Sequence, residues 1–447
     1  MDDLATPITP SAESLAAALE HFRSLVDPET LNALQPMGPG TVYTPWVTTW
    51  LLLYQRLHKN ASLQSAVDQL LLIAGSISTT KRARTGTLSS NTSAYSQARS
   101  RLKPEVADAV ADHVFESIVA ARPPSWAGRR VFIMDGTTLS LSSRDELRER
   151  WPPGANQHGP GTWPISHLVL AHELASGAAV RAEVGAMYGA AADSELALAL
   201  RILPRIPEKS VLMADRNFGV FRFVHAAATA GHDVLVRLTQ PRFRALKRSA
   251  RGAGSGRWTL SWTPSRNDRK THPDLPADAK VHVWLHEFVG FSGQTLWIAT
   301  TCPAATSDLA DLYARRWAIE TDIRQLKHAL ECETLRGQSE AMIRKELAMA
   351  MVAFNLVVQV RAVAAERLKL PPRRLSFTGV WSLVTHVLLN PNNWTAEEWE
   401  KNFEWVLRGA GQRKLPNRPG RSYPRKVLAR RRKFSEHSTR RPDPPLK

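Results

Sequence analysis

Apolar positions in the first part of the chain recur every three to four residues: Trp46, Trp50, Leu51, Leu52 and Leu53, then Val67, Leu70 and Leu71. That spacing lines one helix face, so residues 1–121 are expected to form a helical domain. A polar, basic stretch interrupts it, Thr79-Thr-Lys-Arg-Ala-Arg84 and then Leu88-Ser-Ser-Asn-Thr-Ser, and Arg122-Pro-Pro-Ser-Trp-Ala-Gly-Arg129 reads as a linker. The pattern then changes. Arg130-Val-Phe-Ile-Met-Asp135-Gly and Ser210-Val-Leu-Met-Ala-Asp215-Arg-Asn-Phe-Gly are short unbroken apolar runs ended by an acid, as in buried central strands. Strands over 167–174 and 178–187, a helix over 194–203, a helix over 218–230 and a strand over 233–238 complete a mixed α/β arrangement.

From 239 to about 303 the period is two. Arg257-Trp258-Thr-Leu-Ser-Trp262, Lys280-Val-His-Val-Trp-Leu-His286 and Thr295-Leu-Trp297-Ile-Ala-Thr300 alternate, and Gly290-Phe-Ser-Gly293 makes a hairpin loop. Residues 242–251 read as a basic loop with an aromatic, suited to backbone phosphates. From Leu335 the pattern is mainly helical, broken at Pro371-Pro372 and Pro391. Its most apolar part, 347–360, includes Asn355 and Gln359 and is too short to cross a bilayer, so a packed core helix is expected.

Charge narrows the class of partner. The 59 lysines and arginines exceed the 41 acids by 18, which favours polyanions. Residues 408–447 hold 14 basic and 2 acidic side chains, 12 of that excess, and read as a disordered basic tail that binds phosphate backbones in a salt-sensitive way. Cys302 and Cys332 are the two cysteines, without zinc-ligand spacing, which suits a reducing compartment. The opening MDDLATPITPSAES lacks an export signal, so a cytoplasmic protein with no membrane partner is expected.

The candidate chemistry lies on one helix face. In LYARRWAIETDIRQLKHAL, Tyr313, Arg316, Glu320 and Lys327 fall within an arc of about 60° if the helix is continuous. Asp322 and Glu331 point elsewhere, which selects Glu320 as the acid of this stripe. Arg316 and Glu320 alone would make only an i,i+4 pair of about 0.2–0.5 kcal/mol. Asp135 and Asp215, at the carboxyl ends of their strands, sit where open α/β sheets place chemistry. Three convergent carboxylates need a counter-charge, because close like charges oppose one another's ionisation. A pair of divalent cations about 3.5–4 Å apart is the usual solution, and hard oxygen ligands select Mg2+ or Mn2+. Lys327 and Arg316 then suit the phosphates of a polyanion, and Tyr313 suits stacking or hydrogen bonding to the same partner.

Asp135-Gly-Thr-Thr, the strand ending Asp215-Arg-Asn-Phe-Gly, and the Tyr313, Arg316, Glu320, Lys327 signature resemble the DDE transposases of bacterial insertion sequences, specifically the insertion-sequence-four type. Ser96-Gln-Ala-Arg99-Ser-Arg101-Leu and Asp193-Ser-Glu-Leu-Ala-Leu-Ala-Leu-Arg201 are also similar to segments common there, and the resemblance runs over about 40–370. It implies a ribonuclease H-like catalytic core over 122–335 with an all-β insertion at about 239–303. Around it would lie a helical domain, 1–121, for DNA ends, a helical region, 336–405, for a homodimer on DNA, and the basic tail from 406 to 447. It implies an enzyme that binds terminal inverted repeats, cuts phosphodiesters at the ends of its element and joins the 3′-hydroxyls to target double-stranded DNA, associated with the nucleoid. Asp135, Asp215 and Glu320 would be the metal-holding catalytic acids. In members that cut through a DNA hairpin a tryptophan of the insertion holds a flipped base, and Trp297 is nearest to that place, with Trp284 next. The alternative is a transposase-derived DNA-binding protein or nuclease that no longer transposes.

Overall fold

The computed structural model describes residues 22, 26–78, 80–157, 159–254, 256–290, 293–329, 331, 335–385 and 396–416. The apolar runs become the middle of one sheet. Its strands are β1 (Val131–Ser140), β4 (Ile165–Glu173), β5 (Glu183–Ala186), β6 (Val211–Ala214), β7 (Asp233–Arg237), β8 (Arg251–Gly252), β9 (Arg257–Trp262), β10 (Val281–Val289) and β11 (Thr295–Thr300). The two-residue β2 (Ala155–Asn156) and β3 (Gly159–Pro160) pair with each other in the loop before β4. The nine strands run in the order β5-β4-β1-β6-β7-β11-β10-β9-β8. β1, β6 and β7 are parallel neighbours, which is why their residues are apolar on both faces.

Several expectations change. β1 is ten residues long and carries on past Asp135, so that acid lies inside a strand and not at its end. The 239–303 region is not an all-β unit: β9, β10 and β11 extend the same sheet, and helices Gln240–Lys247 and Arg266–Thr271 lie among them. The basic loop expected over 242–251 is mostly the first of these helices, started by Pro241 and by Thr239, whose hydroxyl accepts the Arg242 N–H. Helix Ala396–Gln412 runs through residue 406, so any tail begins further on; residues 417–447 lie outside the described residues. The hairpin between β10 and β11 forms as expected, though Phe291 and Ser292 at its tip are likewise outside them.

The most apolar stretch is part of a longer helix, Glu340–Arg367, begun by the Ser339 cap. At 28 residues it has the length and composition of a membrane-crossing helix, but most of it is buried inside the protein. A helix apolar on every side belongs in a core. It packs against helices Pro45–Leu57 and Pro104–Ala120, and its Asn355 makes a two-way bond with the backbone of Ala179, giving to the carbonyl at 2.9 Å and accepting the N–H at 2.8 Å. The N-terminal helices, this helix and one sheet face share one hydrophobic core.

A buried ionic hub fastens these parts. Glu346, 2% exposed, accepts Arg99 at 3.0 Å, Arg56 at 3.4 Å, and the backbone N–H groups of Arg336 at 2.8 Å and Gly337 at 3.2 Å. Next to it Lys345 donates to the carbonyl of Leu102 at 2.8 Å. Arg99, in the Ser96-Gln-Ala-Arg99 segment, therefore serves as a tie between the N-terminal helices and the long helix.

Candidate active site

β1 and β6 are in the register that sets Met134 beside Ala214. The next residues are Asp135 and Asp215, so the two acids leave adjacent chains about 4.8 Å apart. By strand alternation both turn to the face shared by Ile133 and Met213, which helices Thr306–Ala314 and Ala318–Ala329 cover. Asp215 directly follows its strand, and its Oδ1 accepts the Asn217 N–H at 2.8 Å, an Asx-type turn. Gly219 in the same turn passes against the backbone of Arg237, where a Cβ would collide with the carbonyl oxygen. Asp135 Oδ1 accepts the Gly136 N–H at 2.9 Å.

Burial pushes the Asp135 carboxyl up to about 6; Asp215 and Glu195 push the same way, while the Gly136 N–H and Arg316 oppose them. A pKa higher in the folded than in the unfolded chain makes the fold lose stability as pH rises from about 4 to 6, with no further loss above. Asp135→Asn removes that loss. In chelator it is expected to be more stable than wild type at pH 8 by on the order of 2 kcal/mol, and equal to it at pH 3, in denaturant titrations. Equal stability at both pH values would refute the raised pKa.

A carboxylate on the covering helices faces this pair across a cation. Glu320 lies in the first turn of helix Ala318–Ala329. Arg316 reaches Glu320 Oε1 at 3.5 Å and Asp135 Oδ2 at 3.8 Å, so its guanidinium bridges the helix and the strand. The single helix expected from 313 to 327 is instead two helices joined by a 3-10 turn, Arg315–Trp317. Residues of such a turn advance by about 120° and not 100°, which rotates Tyr313 out of the stripe. Tyr313 is 6% exposed and shares a core cluster with Leu296, Ile298 and Leu312. Its burial pushes the phenol up to about 12, and little of the ring is exposed for the DNA contact expected of it. Lys327 Nζ donates to the carbonyl of Thr138 at 2.8 Å, three residues along β1 from Asp135.

Trp297 is not brought to the acids. It alternates with Leu296 and Ile298, so it faces the other side of the sheet, packed near Phe243 and donating from Nε1 to Glu287 at 3.0 Å. The strand period alone could not say which face would carry the acids. Reading the sequence also passed over Trp317, which is 54% exposed beside Arg316 and borders a cleft with Arg237, Phe288 and Val289. It passed over Glu195 too, whose Oε2 accepts Asn217 Nδ2 at 3.2 Å; burial raises its pKa, with Asp215 adding to the effect. The only signal for Glu195 was its place in the Asp193-Ser-Glu195 segment. Asp322 is engaged elsewhere: it is buried, paired with Arg373 at 2.6 Å and close to His172 at 3.5 Å.

The profile of the family described as Transposase DDE domain matches residues 126–356, which contain Asp135, Asp215, Arg316, Glu320 and Lys327. The chain belongs to the DDE transposase family. It is also similar to the transposase InsG for insertion sequence element IS4 of Escherichia coli (strain K12), 25% identical over 353 residues, covering 76% of this chain and 77% of that one. The insertion-sequence-four resemblance is thereby shown, and the mixed α/β sheet is consistent with the ribonuclease H-like core of such a transposase. DDE transposases generally use divalent metal ions. The donor types of this transposase suit one, since hard carboxylate oxygens gather about a positive charge, here the Arg316 guanidinium. As they stand, no three acids, histidines or cysteines among the described residues form a group that could hold an ion. Arg316 occupies the space between Asp135 and Glu320.

Proposed function

We propose that this transposase binds the terminal inverted repeats of an insertion sequence, cuts phosphodiesters at its ends and joins the freed 3′-hydroxyls to target DNA in the nucleoid. The observation that carries this reading is the parallel register of Asp135 and Asp215, with Glu320 facing them across Arg316. These acids would hold Mg2+ or Mn2+, as a pair of ions, once Arg316 withdraws. A bound pair would activate the attacking water or 3′-hydroxyl and offset charge on the leaving oxygen. Arg316 is well placed to exchange its carboxylates for a backbone phosphate, which guanidinium groups bind in bidentate fashion. Lys327, at the β1 end of the cleft, suits a second phosphate. The exposed Trp317 beside Arg316 is better placed than Trp297 to stack on a base at the cut.

DNA ends would meet the N-terminal helices, where Lys81, Arg82 and Arg84 are exposed and only Ala83 of their short helix is buried. Paired ends call for two copies. The long helix is enclosed within the protein, so pairing in the 336–405 region falls to its exposed C-terminal part, where Trp405 is 53% exposed.

The test incubates full-length protein with labelled duplexes carrying the ends that flank its gene, in magnesium or chelator, beside Asp215→Asn. Metal-dependent cuts with free 3′-hydroxyls at the ends and joined products, lost in the variant, are expected. Cuts without joining would leave a nuclease. Binding indifferent to metal and to the substitution, with paired ends supplied, would leave a DNA-binding protein.

A further inference from the structure

Glu195 is a carboxylate that the triad of acids leaves without a task. It opens the helix Glu195–Ile202, directly after Ser194, whose hydroxyl caps the helix by accepting the Ala197 N–H at 3.1 Å. From there its carboxylate reaches both segments that carry the aspartates. One oxygen, Oε1, lies against Gly136, the residue after Asp135, where a Cβ would collide with it. The other accepts Asn217 Nδ2 at 3.2 Å, and the backbone N–H of the same Asn217 is held by Asp215 at 2.8 Å.

Gly136 has no conformational need to be glycine, since its φ is in the ordinary range of a strand. A glycine inside a strand weakens it, and is expected where another group must approach closely. Here that group is the Glu195 carboxylate. Among the described residues no lysine or arginine forms an ion pair with Glu195. The half-buried Glu195 is thus seated, by one missing side chain and one amide, against the strand and the turn that carry the two aspartates; it reaches β1 from the face opposite the Asp135 side chain, and His167 is a nearby group of opposite sign. Close like charges disfavour such an arrangement unless a positive charge joins it.

We propose that Glu195 is a fourth carboxylate of the site, a positioning residue that raises the affinity of the Asp135–Asp215 pair for a divalent cation. The proposal rests on the reading that these acids take one. Groups that hold or surround metal ligands typically matter by 10–100-fold in affinity. A purely structural Glu195, favouring the helix start by its charge, would affect the melting temperature and not the cation.

Full-length protein, alone and on an end-bearing duplex, would be titrated with Mn2+ by electron paramagnetic resonance. Glu195→Gln is expected to weaken Mn2+ binding about 10–100-fold without lowering the melting temperature in chelator, and Glu195→Asp to recover part of the loss. Gly136→Ala, which displaces the carboxylate without removing it, should reproduce the defect and add little to it in the double variant. Unchanged Mn2+ affinity in Glu195→Gln overturns the proposal. Asp215→Asn separates the two ideas: if it abolishes Mn2+ binding while Glu195→Gln does not, only the role of Glu195 fails. If neither variant changes what the wild type does, the cation reading of the site fails with it.

Discussion

Glu320→Gln is expected to abolish cutting of the DNA ends, by on the order of 10³-fold or more, while leaving the ends bound. Glutamine keeps the size of the side chain and removes its charge. The site then keeps Asp135 and Asp215 on the sheet but loses the acid that faces them from the helix, 3.5 Å from Arg316. Gel shifts on end-bearing duplexes would measure binding, and strand-resolved gels in magnesium would measure cutting. Wild-type cutting by Glu320→Gln would mean that another group is the third acid. Asp322, two residues on, is poorly suited to replace it, because its carboxylate is buried and already bonded to Arg373 at 2.6 Å.

Glu346→Ala is expected to have the largest effect on stability, a loss of about 3–5 kcal/mol, because removing one partner of a buried ionic group leaves the others uncompensated. Arg56 and Arg99 would both lose their anion, and the N–H groups of Arg336 and Gly337 would lose their acceptor. The N-terminal helices and the loop leading into the long helix would loosen together. Glu346→Gln, which keeps an acceptor for the two N–H groups, should fall between alanine and wild type. Denaturant unfolding followed by tryptophan fluorescence reports on this directly, since Trp46 and Trp50 sit in the same helical layer. A Glu346→Ala protein as stable as wild type would show that the hub adds nothing net to the fold.

Much of the site could be read from residue patterns, for a physical reason. Asp135 and Asp215 end unbroken apolar runs, and such runs become parallel central strands wherever both faces are covered. The acids of two adjacent parallel strands then lie side by side at strand spacing. Glu320 could be told from Asp322 and Glu331 as the acid of the stripe because helical periodicity sets them on different faces. What the pattern could not show was the 3-10 turn at Arg315–Trp317, since no proline or glycine marks it. That turn takes Tyr313 into the core and leaves Trp317 in solvent. The face of Trp297 was equally hidden, because alternation tells which residues share a side of a strand and not which side meets the helices.

Local sequence determined the apolar strands, the helix caps at Thr44, Ser194 and Ser339, and the acids that follow from them, since each depends on neighbours within a few residues. Only the tertiary structure decided that the 239–303 strands would extend the catalytic sheet, that the most apolar helix would be enclosed, and that Arg316 would stand between Asp135 and Glu320. It alone brought Glu195 to Gly136 across some sixty positions of sequence. These outcomes depend on burial and charge between segments far apart in the chain, and no local spacing encodes how such segments meet.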